Sequence, residues 1–319
     1  MVAKIIGKCI LLPVIVFLIV EATIFFSPFK EKDLETDFAA VIIDKQQILN
    51  ATPSPKIVLI GGSSVSYGID SQLMQDSLGI PVVNMSFQYF LGSDFSFRQV
   101  LGSLNKGDKV ISSFEYIVTK EGDVKEQLKA ASYFPKAHDW IIFETPDEYI
   151  SAWLRTHIDF FRNIILRLYD QTPFNPTIED KTNTFFRRAI DKNGDLVSHL
   201  NNDPIQFPLC ITAQDSSFYT VIENIEYYTK SLKAKGIDVL YTFPPYEEAS
   251  FNKDNQLIDK LYLNFEKYPE IKLLDSPYDS KYPNHYFQDM CYHLSAEGRK
   301  QRTLKLIQNF KSTELENAI

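Results

Sequence analysis

Lys56-Ile57-Val58-Leu59-Ile60-Gly61-Gly62-Ser63-Ser64-Val65-Ser66-Tyr67-Gly68-Ile69-Asp70 begins with a short aliphatic run and breaks into two glycines and two serines. A run of this kind reads as a strand buried on both faces, the type found in parallel sheets. A strand that ends in glycines and then opens a helix exposes its serine at the carboxyl edge of the sheet, where open α/β folds bind ligands. Glycine lets the chain turn tightly there, and the first N–H groups of the helix are left free to hold an oxyanion. Taken alone, the same letters also describe an ordinary strand-to-helix turn, so the rest of the chain has to decide.

Working outward, further aliphatic runs fall at residues 81–85, 109–113, 238–243 and 271–274, and with 57–60 they predict five strands. Amphipathic stretches lie between them, the alternation that builds βαβ units and a parallel sheet. Residues 217–235 place Phe218, Val221, Ile222, Ile225, Tyr228 and Leu232 on one helical stripe that stops at Gly236. Near the C-terminus, Ser295 is placed to cap a helix carrying Leu304, Ile307 and Phe310 inward. The expected architecture is a three-layer α/β/α domain around a central parallel sheet of about five strands. Residues 122–208 break the alternation with an aromatic-rich helical stretch (148–169) and a polar loop at Asn193-Gly194, and read as a helical insertion, a lid or docking surface. There is no internal repeat and no low-complexity tract.

The composition is 45% hydrophobic and 23% charged over 319 residues, which suits a folded chain with a large core. The formal charge is −8 and no basic block is long enough to track a phosphate backbone, which argues against nucleic acid as a partner. Cys9, Cys210 and Cys291 make no metal-ligand spacing, and His138, His157 and His199 make none either, so they read as packing or surface residues. Cys210 and Cys291 have the option of pairing outside the cytoplasm, but the place of Cys291 between Asp289 and His293 favours a free, packed thiol. Lys4 and Lys8 precede an apolar run that continues, across Glu21, to Phe26. Its length and the basic flank predict a signal anchor over residues 1–30 that spans the membrane and exports the remainder of the chain. Residues 31–55 read as a stalk and 56–319 as the exported domain, and the chain beyond residue 30 carries −10 once the net +2 of residues 1–30 is removed. An acidic exported domain suits neutral or wall-linked substrates better than polyanions. No Gly-rich phosphate loop with a Lys after it is present, and no cofactor is expected.

The second decisive stretch is Phe287-Gln288-Asp289-Met290-Cys291-Tyr292-His293-Leu294-Ser295. A carboxylate four residues before an imidazole, on a short turn, lets Asp289 hold one ring nitrogen of His293 while the other faces a nucleophile. A histidine that merely packs under the last helix is the competing reading. A serine after the first strand with Asp and His before the last helix resembles the SGNH/GDSL hydrolase superfamily over most of the exported domain. Val83-Asn84-Met85-Ser86 stands where that family places its second block, and Tyr292-His293-Leu294, Gly298-Arg299 and Arg302-Thr303 resemble a subgroup of bacterial envelope proteins.

The resemblance implies Ser63 as nucleophile, with Ser64 as the alternative, and Asp289 and His293 as its partners. It also implies Gly62, Ser64, Asn84 and Ser86 around the oxyanion and substrate. The family's third-block asparagine, a side-chain donor, is absent, and Phe114-Glu115-Tyr116 stands near its place. The implied chemistry is ester hydrolysis or O-acyl transfer on acylated envelope or extracellular polysaccharide, through an acyl-serine, with a membrane acyl-donor protein as a further partner. The alternative is a catalytically weakened, anchored binding or assembly factor in polysaccharide biosynthesis or export. The stretch 241–246 (Tyr-Thr-Phe-Pro-Pro-Tyr) either lines the cleft or is a strand end stopped by prolines.

Overall fold

The computed structural model describes residues 2–143, 145–170, 184–210 and 215–317. The chain begins with helices α1 (Val2–Phe25), α2 (Lys30–Thr36) and α3 (Val41–Ala51). Strand β1 (Ile57–Gly61) then leads into α4 (Ser63–Gly68) and α5 (Ser71–Leu78), and next come β2 (Val82–Asn84), α6 (Gly92–Leu101) and β3 (Lys109–Ser113). Helices α7 (Val124–Tyr133) and α8 (Pro146–Asp170) occupy the region read as an insertion. The remainder is α9 (Asp215–Lys233), β4 (Asp238–Tyr241), β5 (Tyr246–Glu247), α10 (Glu248–Phe265), β6 (Lys272–Leu273), β7 (Lys281–Tyr282) and α11 (Ala296–Asn317).

All five expected strands form, and they pair in parallel in the order β2-β1-β3-β4-β6. Alternate residues of each strand point to opposite faces. Val58, Ile60, Val110 and Val239 pack with Phe97 of α6 and with Phe218, Val221, Ile222 and Ile225 of α9. Ile57, Leu59, Ile111 and Leu240 pack with Met74 of α5 and with Leu306, Ile307 and Phe310 of α11. Helices therefore cover both faces, which explains why the strands read as unbroken aliphatic runs. Each such side chain contributes about 1.5–3 kcal/mol on burial. Gly236, at φ 74°, turns the chain from the end of α9 into β4 in the left-handed region that glycine enters freely.

Three expectations need correction. Residues 31–55 are not a bare stalk: on α3, Val41, Ile42, Lys45 and Leu49 are buried. Their spacing is a helical stripe that Asp44, Gln46 and Gln47 disguise as polar sequence. On α11, Leu304 is 44% exposed and Leu306 takes the inward position beside Ile307 and Phe310. Cys210 and Cys291 form a disulfide rather than free thiols. The segment before Cys210 runs beside the loop of Cys291, with Ile205 N–H donating to the Gln288 carbonyl at 2.7 Å, which brings the two sulfurs within reach.

At the N-terminus, no single helix among the described residues is long and apolar enough to cross a membrane. Leu11–Phe25 and Lys30–Thr36 meet the length and composition together but are bent by 58°. Helix α1 lies along α8, with Phe17 and Trp153 rings 5.8 Å apart and Glu21 2.6 Å from His157.

Candidate active site

Strand β1 delivers its last residue, Gly61, against β3, where a Cβ would strike the Ser113 carbonyl oxygen. Only glycine permits that approach, and the next two residues turn the chain so that Ser63 becomes the first residue of α4. Ser63 Oγ lies 2.8 Å from His293 Nε2, across 230 positions of sequence. His293 Nδ1 lies 2.7 Å from Asp289 Oδ1. Asp289 and His293 sit on a tight loop closed by an antiparallel bridge between Phe287 and Leu294, with His293 N–H donating to the Met290 carbonyl at 3.1 Å. The imidazole stacks on Tyr67, ring centroids 3.9 Å apart and planes at 9°, so its plane is fixed by packing as well as by Asp289. Tyr67 is buried, its hydroxyl shares a 2.5 Å hydrogen bond with Thr184 Oγ1, and burial together with the Asp289 charge raises its pKa. His199 packs on the same tyrosine ring at 4.3 Å, and burial lowers its pKa to about 3, so it is neutral at ordinary pH. Ser63 and His293 are 6% and 3% exposed.

The structure does not place the other expected residues as oxyanion donors. Asn84 turns away from Ser63: its Nδ2 donates to Asp195 Oδ1 at 2.8 Å and to the Val65 carbonyl at 3.3 Å. Its Oδ1 accepts the Ser86 N–H at 3.0 Å, which uses the backbone donor that Ser86 was expected to supply. Ser86 Oγ and Ser64 Oγ are buried with no hydrogen-bond partner among the described residues. Ser64 N–H donates to Glu115 Oε1 at 2.6 Å. Gly62 lies under the same carboxylate, which a Cβ at this position would strike. Tyr241, Phe243 and Tyr246 are buried in the core beneath the sheet end, so that stretch is packing rather than cleft lining.

Behind these residues lies a polar scaffold that sequence reading did not assign. Asp195, fully buried, accepts from Ser71 N–H, Ser71 Oγ, Asn84 Nδ2 and Arg299 Nη2 at 2.6–2.8 Å. Lys45 Nζ donates to the Asn84 carbonyl at 2.8 Å and the Gly194 carbonyl at 2.5 Å. Burial lowers the Lys45 pKa to about 7, against the opposing pull of Asp195. Arg302 donates to the Ser64 carbonyl at 2.8 Å and to Ser113 Oγ at 3.1 Å, which ties the serine turn to β3 and α11. Arg299 and Arg302 had stood out in the sequence only as landmarks; their use is to fix the turn.

No family model matches the chain, and no curated protein does. Among solved structures, the YxiM protein of Bacillus subtilis aligns with a TM-score of 0.40 at 11% identity. That alignment covers 82% of this chain and 58% of YxiM, so the chain spans little more than half of that protein. A structure described as a platelet activating factor from Streptococcus pneumoniae aligns with a TM-score of 0.37 at 10% identity, covering 94% of this chain and 98% of the other. Likenesses of this degree say nothing of activity.

Proposed function

We propose that this chain is an SGNH-type acyl-ester enzyme in which Ser63 is the nucleophile, His293 the base and Asp289 its orienting carboxylate. The observation that carries the reading is the unbroken pair of hydrogen bonds from Ser63 Oγ through the imidazole to Asp289. As Ser63 Oγ bonds to the carbonyl carbon, its proton passes to His293 Nε2. The tetrahedral intermediate collapses, the ester C–O bond breaks, and the same proton goes to the departing alcohol. Water then takes the acyl group in a hydrolase, or a sugar hydroxyl takes it in an O-acyltransferase. Asp289 stabilises the imidazolium in both half-reactions.

The substrate class we favour is acylated envelope or extracellular polysaccharide. The supporting feature is the N-terminal apolar run, whose Leu11, Leu12, Val16 and Leu18 stand exposed and suit attachment to a bilayer with the domain on the exported side. A disulfide between Cys210 and Cys291 also suits an oxidising compartment. A second reading, a weakened binding or assembly factor, is favoured by the inward turn of Asn84 and the low exposure of Ser63. A fluorophosphonate probe separates the two. Labelling lost in Ser63→Ala and kept in Ser64→Ala supports the enzyme; no labelling of the wild-type chain or of any variant at Ser63 favours the binding factor.

A further inference from the structure

We propose that Glu115 is an occluding carboxylate, which holds the oxyanion position beside Ser63 in the resting site and sets how fast the serine is acylated. This rests on the acyl-ester reading above. Glu115 lies two residues past the end of β3 and is 1% exposed. Its Oε1 takes the N–H of Ser64, the residue next to the nucleophile, at 2.6 Å. The helix ladder does not use that N–H: the first bonds of α4 run from Val65 and Ser66 back to the Gly62 carbonyl. The carboxylate also rests on the bare Cα of Gly62, where any side chain would collide with it. A negatively charged oxygen seated on a backbone N–H one residue from the nucleophile resembles the alkoxide that an oxyanion hole holds during reaction.

The second carboxylate oxygen, Glu115 Oε2, is buried and has no hydrogen-bond partner among the described residues. An unpaired carboxylate oxygen is costly to bury, and here it lies over Gly62, the residue before the nucleophile, rather than in a satisfied structural network such as that of Asp195. Asn84 Nδ2 and the Ser86 N–H are committed elsewhere, so neither is a donor to offset it. A substrate carbonyl that acquires negative charge in this place meets a fixed like charge at short range and loses the Ser64 N–H that would have steadied it. Acylation therefore requires the Glu115 carboxylate to give up its hold on Ser64.

Glutamine tests this directly. In Glu115→Gln the amide oxygen keeps the Ser64 N–H, while an N–H₂ replaces the unpaired Oε2 and becomes a donor to the oxyanion. Glu115→Ala removes the charge and frees the Ser64 N–H as the donor. The measurements are the second-order rate of Ser63 labelling by a fluorophosphonate and the kcat/KM for p-nitrophenyl acetate, on the full chain, with thermal midpoints to confirm folding. Both variants are expected to exceed wild type, each by on the order of 10²-fold, the size of one oxyanion donor. A side chain that only holds the loop in place would leave both variants slower than wild type. Labelling of wild-type Ser63 with neither variant faster overturns the proposal and leaves the enzyme reading standing. Absence of Ser63 labelling in every protein overturns the enzyme reading and this proposal with it. If the alanine variant fails to fold, the glutamine variant decides alone.

Discussion

Replacing Cys210 with Ser opens a cross-link that closes a long loop and anchors the segment between Asp289 and His293. The bonded cysteines are 81 positions apart, and a loop of that size removes about 4.5 kcal/mol of conformational freedom from the unfolded chain on the chain-entropy estimate. Little of that should be recovered in the folded state, because other bonds hold the same region. Glu247 N–H donates to the Cys291 carbonyl at 3.1 Å, and Gln288 Nε2 to the Asp203 carbonyl at 3.0 Å. Urea unfolding monitored by the fluorescence of Trp140 and Trp153 measures the loss. With a slope of about 3 kcal/mol/M, Cys210→Ser and the wild-type chain in phosphine reductant should both unfold about 1.5 M earlier than the oxidised wild type. Thiol titration in denaturant should find one free thiol, Cys9, in the oxidised chain. Three free thiols, or coincident unfolding curves with and without reductant, would refute the reasoning.

Asp289→Asn keeps the shape of the loop but offers His293 the wrong partner, so p-nitrophenyl acetate turnover should fall on the order of 10⁴-fold with the thermal midpoint nearly unchanged; an unchanged rate would remove Asp289 from the mechanism. His199 tests the electrostatics of the buried ring cluster. Below pH 6.5 the unfolded chain gains a proton at residue 199 that the folded chain, with this imidazole held neutral down to about pH 3, does not bind, so stability falls as pH falls. Between pH 6.5 and 5 the wild type should lose about 2 kcal/mol more than His199→Phe. Burial raises the Asp275 pKa to about 6 and gives a slope of the opposite sign, but both proteins share it and the difference removes it. Parallel pH profiles for the two proteins would contradict the burial of His199.

How much of the molecule was legible in its sequence depends on the range of the forces involved. The strands could be read because a parallel sheet covered on both faces demands consecutive aliphatic residues, and residues 57–61 or 109–113 have no other use for them. Asp289 and His293 could be paired because both lie on one short turn. Lys45 could not be read as buried: its stripe on α3 is apolar only at Val41, Ile42 and Leu49, and the carbonyls of Asn84 and Gly194 that receive its ammonium are distant in sequence. The disulfide was hidden for the same reason, since nothing near Cys291 tells of Cys210. Asn84 was misassigned because position along the chain does not say which way a side chain turns, and Asp195, at the far end of the insertion, takes it inward.

That turn of Asn84 links the scaffold to the chemistry. Asp195 is surrounded by Arg299, Ser71 and Asn84, and burying its charge is tolerable only while every one of those donors is kept. Asn84 is thereby fixed, and through its Oδ1 it also fixes the Ser86 N–H. The packing that makes this corner of the domain rigid has thus drawn two expected oxyanion donors out of the site. The start of α4 is left to do that work, and Glu115 lies across it. A carboxylate there opposes the charge that a serine enzyme develops, and although its first oxygen takes the Ser64 N–H, its second gains no bond. Its presence makes sense if the chain requires a reactive serine that stays silent until a particular substrate displaces one side chain.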